Sequence, residues 1–209
     1  MSAKIQERLD AYTFFTDLFM TLPDERFARA ALEFGIEADA DAEMGPAKKA
    51  FSLFREGNAG KSIEDVLLEL SVDRTQLVRG VDEDGIKPPY ESLYTAGRAE
   101  TSCLSLTESY KAAGLSISPD AKETPEFIGC EMGFMAELCN RQLEALEAND
   151  PMAVERLQQT QARFFSDHLG RWATAYAEAV VRFARTDFFR GIGYVLVDFL
   201  DEEAVFFAE

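Results

Sequence analysis

TPEFIGCEMGFMAELCNRQLEALEAND, residues 124–150, is the stretch whose reading decides the fold. Ile128, Met132, Met135, Cys139, Gln142 and Leu146 recur every three or four positions, the spacing of one buried helix face. Pro125 is expected in the first turn, where its missing N–H costs nothing. Asn149-Asp150-Pro151 then breaks the helix and starts another, with Asp150 as cap and Pro151 at the first position.

The same period extends in both directions. Ile5, Leu9, Tyr12, Phe15 and Phe19 predict an N-terminal helix that ends before Pro23. Asp24 caps a second helix with Phe27, Ala30, Ala31 and Phe34 on its inner face. A small, acidic loop is expected over 38–45, then a short helix carrying Ala47, Ala50, Phe51 and Phe54. Ser62 caps a helix with Val66, Leu67, Leu70 and Leu77 inside. Residues 80–90 form the longest irregular stretch, with an acidic turn (Asp82, Glu83, Asp84, Gly85) and then Pro88-Pro89. A helix resumes after it and runs to about Ala113, with Gly114 beyond its end, and a loop covers 118–124. C-terminal to residue 150, Val154, Leu157, Phe164, Phe165 and Leu169 continue the pattern. Trp172, Tyr176, Val180 and Phe183 follow, and Asp187 is expected to cap a last helix. Strand-like alternation is almost absent and heptads are not sustained. The reading is all-α: a single globular bundle of about nine to eleven helices over residues 1–209, with a candidate hinge at 80–90 that permits domain swapping.

Composition narrows the function. With 47% hydrophobic and 28% charged residues the chain has globular composition. Its 38 acidic and 21 basic side chains leave a net charge of −17, which argues against nucleic acid and favours a basic partner. Cys103, Cys130 and Cys139 have no CxxC spacing, which fits a reducing compartment. Lys4, Glu7, Arg8 and Asp10 interrupt the start of the chain, and Asp198, Asp201, Glu202 and Glu203 interrupt the apolar C-terminal stretch. Neither a signal peptide nor a membrane span is therefore expected, and a cytoplasmic location is.

No enzyme is expected. His168 is the single histidine, too few for a His-rich metal site, and a structural role beside a carboxylate or carbonyl is expected for it. P-loop and GxGxxG patterns are missing, and no Glu-x-x-His pair supports a di-iron site. No catalytic residue, metal ligand or cofactor is assigned. Two segments stand out instead. Lys87-Pro88-Pro89-Tyr90-Glu91-Ser92-Leu93-Tyr94 is a stiff extended run followed by aromatics. Near Pro125, Glu126 and Glu131 face the positive end of a helix beside Phe127, placed for an arginine or simply for the dipole. Gly129 and Gly133, four apart, admit close approach of another helix or chain.

These segments resemble the TorD/DmsD family of redox-enzyme maturation chaperones, related to the NarJ group. Asp73-Arg74-Thr75-Gln76-Leu77-Val78-Arg79-Gly80 is similar to that family's acidic-Tyr-Thr-Arg-Leu-Phe segment. Pro88-Pro89-Tyr90-Glu91-Ser92-Leu93-Tyr94 is close to its Pro-Pro-Tyr-Glu-Ser-Val-Tyr motif. Pro125-Glu126-Phe127-Ile128, with Glu131 and Phe134-Met135, resembles its Pro-Asp-His-Ile…Glu-Leu-x-Phe-Met motif. Phe164 to Leu169 with Trp172 resembles its Phe-x-x-x-His-Leu-x-x-Trp segment.

The resemblance implies an all-α chaperone that binds the twin-arginine signal peptide of a redox enzyme, typically a molybdopterin enzyme, and holds it until cofactor insertion, before export. The family's peptide-binding positions map onto Leu77, Pro89, Tyr90, Ser92, Glu126 and Phe127. Tyr94 and Glu131 join them as candidate groove residues. The alternative is a NarJ-like assembly factor that binds the mature N-terminus of a client that is not exported. The chain departs from the pattern where Glu126-Phe127 replaces Asp-His, Arg74 replaces an aromatic and Gln76 replaces an arginine. These changes point to a divergent branch with a different client.

Overall fold

The computed structural model describes residues 2–35, 45–80, 85–96, 98–118 and 122–208. Most of the loop expected over 38–45 lies outside the described residues. So do Asp82, Glu83 and Asp84 of the acidic turn and residues 119–121 of the next loop. Among the described residues the regular structure is helical, as the periodicity predicts, with ten α-helices and no strand. They are α1 (Ser2–Met20), α2 (Glu25–Glu33), α3 (Pro46–Gly57), α4 (Ile63–Arg79), α5 (Glu91–Tyr94), α6 (Ala99–Ala112), α7 (Ile128–Glu147), α8 (Pro151–Asp167), α9 (Ala173–Phe183) and α10 (Asp187–Ala208). A 3-10 turn, Leu169–Arg171, links α8 to α9.

Their packing separates into two compact units, whose boundary passes between Pro88 and Pro89. The first unit holds residues 1–21, 89–173 and 203–209. In it α1 lies along α7. The glycines of α7 face α1: a Cβ on Gly129 would stand 2.8 Å from the sulfur of Met20, whereas one on Gly133 would make an ordinary contact with Thr16 at 3.4 Å. The helix they admit is α1 of the same chain. Arg8, not Leu9, is buried on α1: its guanidinium forks onto Glu203 (2.6 and 2.7 Å) and reaches Gln161 (2.8 Å). Tyr12 Oη also donates to Glu203, at 2.5 Å.

The second unit holds residues 22–88 and 174–202. Its core is aromatic: Phe34, Phe51 and Phe54 ring Phe188, at centroid separations of 6.1, 6.0 and 5.6 Å. Capping follows the expected chemistry for α2 and α4, where Asp24 accepts from the Phe27 N–H and Ser62 from the Asp65 N–H. The start of α10 differs from expectation. Asp187 is the first helical residue, and Thr186 Oγ1 caps by accepting from the Phe189 N–H. Asp73 of α4 reinforces that start, accepting from the N–H groups of Arg185 and Thr186 and from the Thr186 hydroxyl at 3.1, 2.7 and 2.6 Å.

Two other boundaries differ. The single helix expected from just after residue 90 to Ala113 is two, α5 and α6. The long helix begins at Ile128 rather than near Pro125, because Phe127 is extended and paired with another segment.

Candidate functional site

Two extended segments meet in the first unit. Tyr90 and Phe127 form an isolated antiparallel bridge. Through it the Glu91 N–H donates to the Glu126 carbonyl and the Ile128 N–H to the Pro89 carbonyl, each at 3.0 Å. Pro89 has no N–H of its own to satisfy here, and its carbonyl takes up an amide at the start of α7. The two aromatic rings lie 5.4 Å apart. Pro89, Tyr90, Ser92, Tyr94, Glu126, Phe127 and Glu131 are thus gathered in one unit, although 37 positions separate Tyr90 from Phe127. Leu77 belongs to the other unit, where it is 2% exposed and its carbonyl accepts from Tyr176 Oη.

Burial sorts these residues. Tyr90, Ser92 and Tyr94 are half-buried and reach the surface, and so does their neighbour Leu93, 42% exposed. Tyr90 Oη donates to Glu123 Oε2 at 2.7 Å. Phe127 is completely buried, and Pro89 is buried too. Glu126 is 5% exposed, and its Oε2 accepts from the Ser92 N–H at 3.0 Å. This supplies a cap that Tyr90, at the N-cap position of α5, has no short side chain to provide.

Glu131 is wholly buried, and Trp172 Nε1 donates to its carboxylate at 3.2 and 3.4 Å. Burial holds the Glu131 carboxyl well above the usual carboxylate range, and the nearby Glu91 and Glu126 charges add to this against the indole hydrogen bond. Glu131 thus serves as an interior acceptor for Trp172, on whose ring Tyr94 packs at 5.5 Å.

Two participants, Trp172 and Glu123, went unseen in the spacing of the sequence, while His168 has the structural place beside a carboxylate that the sequence predicts. His168 Nδ1 lies 3.0 Å from Glu91 Oε2, both side chains buried, so the carboxylate at the head of α5 accepts from the imidazole. Trp172 closes the far side, and Glu123 holds the phenol. Which carboxylate His168 meets was signalled only in that Glu91, His168 and Trp172 sit inside the quoted motifs; 77 positions separate Glu91 from His168. Three of the four motif segments therefore converge on α5. The fourth, residues 73–80, lies in the other unit. There Asp73 holds the start of α10, and Gly80 turns the chain at φ +59°.

Among the described residues, no helix is long and apolar enough to cross a membrane. No group of three or more His, Cys, Asp or Glu side chains among them is placed to hold a metal. No curated protein matches the chain. The sequence profile of the family described as "Nitrate reductase delta subunit" does match, over residues 37–178, more than half of the chain and all four motif segments. The chain therefore belongs to the nitrate reductase delta subunit family, the NarJ/TorD-type group of redox-enzyme maturation chaperones.

Proposed function

We propose that the chain binds the twin-arginine signal peptide of an oxidoreductase catalytic subunit, a molybdopterin enzyme by resemblance, and holds it in the cytoplasm until the cofactor is inserted. The observation that carries this reading is the Tyr90–Phe127 bridge, which sets the Pro-Pro-Tyr-Glu-Ser-Leu-Tyr motif against the segment beginning at Pro125. Tyr90, Leu93 and Tyr94 offer apolar and aromatic surface to the greasy middle of such a leader. Pro89 and Phe127 support that surface from within. A leader guanidinium engaging Glu126 competes with the Ser92 N–H for the same carboxylate. In this reading Glu131 acts through Trp172 and Tyr94. The net charge of −17 supports capture of a doubly cationic segment.

A calorimetric titration with a twin-arginine leader and its twin-lysine counterpart tests the reading. Binding near micromolar, about −8 kcal/mol, is expected for the arginine peptide. Roughly tenfold weaker binding is expected for lysine, which lacks the bidentate fork. Tyr90→Ala should weaken both. Equal binding of a leader with no basic pair would remove the mechanism. The family's description as a nitrate reductase subunit favours a second reading, an assembly factor for the mature N-terminus of a client that is not exported. Retention of a client that lacks the arginine pair would select it.

A further inference from the structure

Helices α7 and α8 of the first unit are joined by a tight turn, in which Asn149 stands at φ +55° and Asp150 accepts from the Ala153 N–H at 3.0 Å. Beside that turn the two helix ends border an open groove of about 570 Å³. Leu146, Pro151 and Val154 supply apolar walls, and the exposed Asp150, Glu155 and Gln158 stand at its edge. Met152, in the same turn of α8, is 80% exposed. Its unbranched, polarizable side chain can settle on apolar partners of different shape.

The charge around the groove has one sign. Glu144, Glu147, Asp150 and Glu155 are all exposed, and no lysine or arginine falls between residues 142 and 155. Among the described residues no cation forms an ion pair with any of the four. The flanking arginines are engaged elsewhere: Arg141 pairs with Glu137, and Arg156 lines a separate cleft against α6.

We propose that this groove docks a segment of a partner polypeptide in which lysine or arginine stands among large apolar residues. The apolar side chains settle against Leu146, Pro151 and Val154, and the cations meet the surrounding carboxylates. A small cation answers the charge and leaves the apolar walls in water; a neutral apolar ligand leaves the charge unanswered. A polypeptide of mixed character answers both. From Ile128, beside the Tyr90–Phe127 bridge, to Glu147 the helix advances nineteen residues, about 28 Å. The groove is therefore a separate site from the Tyr90 surface, and the proposal does not rest on the leader reading.

The probe is a twelve-residue peptide that repeats Leu-Lys-Lys-Leu three times, titrated into the full-length ¹⁵N-labelled chain. Saturable shifts of backbone amides within residues 145–158 are expected at tens of micromolar peptide, on the order of 10–100 μM. Replacing every leucine of the probe by serine should weaken this binding about tenfold, and replacing every lysine by glutamate should abolish it. Gln158 is exposed, so its substitution leaves the core intact. Gln158→Lys should weaken binding roughly threefold and Gln158→Glu should tighten it by a similar factor. Tyr90→Ala should leave the shifts at 145–158 unchanged, which separates this site from leader binding. No saturable shift at 145–158, equal binding of the serine probe, or indifference to both Gln158 substitutions would overturn the proposal.

Discussion

Glu131 carries the sharpest consequence at the scale of one residue. Burial, then the charges of Glu91 and Glu126, raise its folded-state pKa above the ordinary 4.5. Both folded and unfolded chains hold this proton below that value. As pH rises, the unfolded chain releases the proton first, so stability drains away until the folded value is passed. Glu131→Gln keeps an acceptor for Trp172 and removes the titration. Urea unfolding at several pH values between 5 and 8 should show the native chain losing stability relative to the glutamine variant as pH rises. Parallel curves would refute this account. Asp73 is a buried carboxylate with a different role: three donors at the start of α10 satisfy it. Asp73→Ala leaves two backbone N–H groups without their acceptor, and a loss of about 2–3 kcal/mol is expected in the same assay.

Among the elements, α5 depends most on its surroundings. Four residues are too few to hold a helix alone. Glu126 caps it, Glu91 ties it to His168, and Tyr94 packs on Trp172. Glu126→Gln preserves an oxygen for the Ser92 N–H, whereas Glu126→Ala removes it. Unfolding should therefore show Glu126→Ala roughly 1–3 kcal/mol less stable than Glu126→Gln. Leader binding should weaken in both variants if the carboxylate meets an arginine.

A comparable contrast tests the turn after α4. A Cβ on Gly80 would fall 2.6 Å from Pro88 Cδ and 2.8 Å from the Ile86 carbonyl, on a backbone at φ +59°. Gly114, at φ +71°, has open space around it. Gly80→Ala should cost clearly more than the roughly 1 kcal/mol expected of Gly114→Ala, read from thermal unfolding.

The elements also show what sequence can and cannot deliver. The period of Ile128, Met132, Met135 and Cys139 is local information, and so are the caps Asp24, Ser62 and Asp150. Each was legible because the physics that decides it spans a turn or two of helix. The start of α7 was misplaced from Pro125 because a bridge to Tyr90 holds Phe127 extended. The break between α5 and α6 was missed, as was the cap at Thr186. The motifs marked Tyr90 and Glu126 as notable. Nothing in their spacing told that Glu126 turns inward to Ser92, or that His168 and Trp172 stand beneath α5.

Over the whole molecule, charge is the property that reaches furthest. Under the proposed function a net −17 would attract a basic leader well before contact, and salt would shorten that reach to roughly 8 Å at physiological ionic strength. Stopped-flow association of the leader should slow steeply as salt rises, while its dissociation rate changes little. A salt-independent association rate would exclude charge steering.

Arg8 and Glu203, each 2% exposed, stand 195 positions apart in the chain. During synthesis the guanidinium emerges early and its carboxylate partner late. Until Glu203 is made, packing Arg8 would strand a positive charge in the interior, a penalty of about 3–5 kcal/mol. A chain without Glu203 is thereby discouraged from closing its first unit, so this one ion pair makes the burial of Arg8 on α1 conditional on residues 203–208.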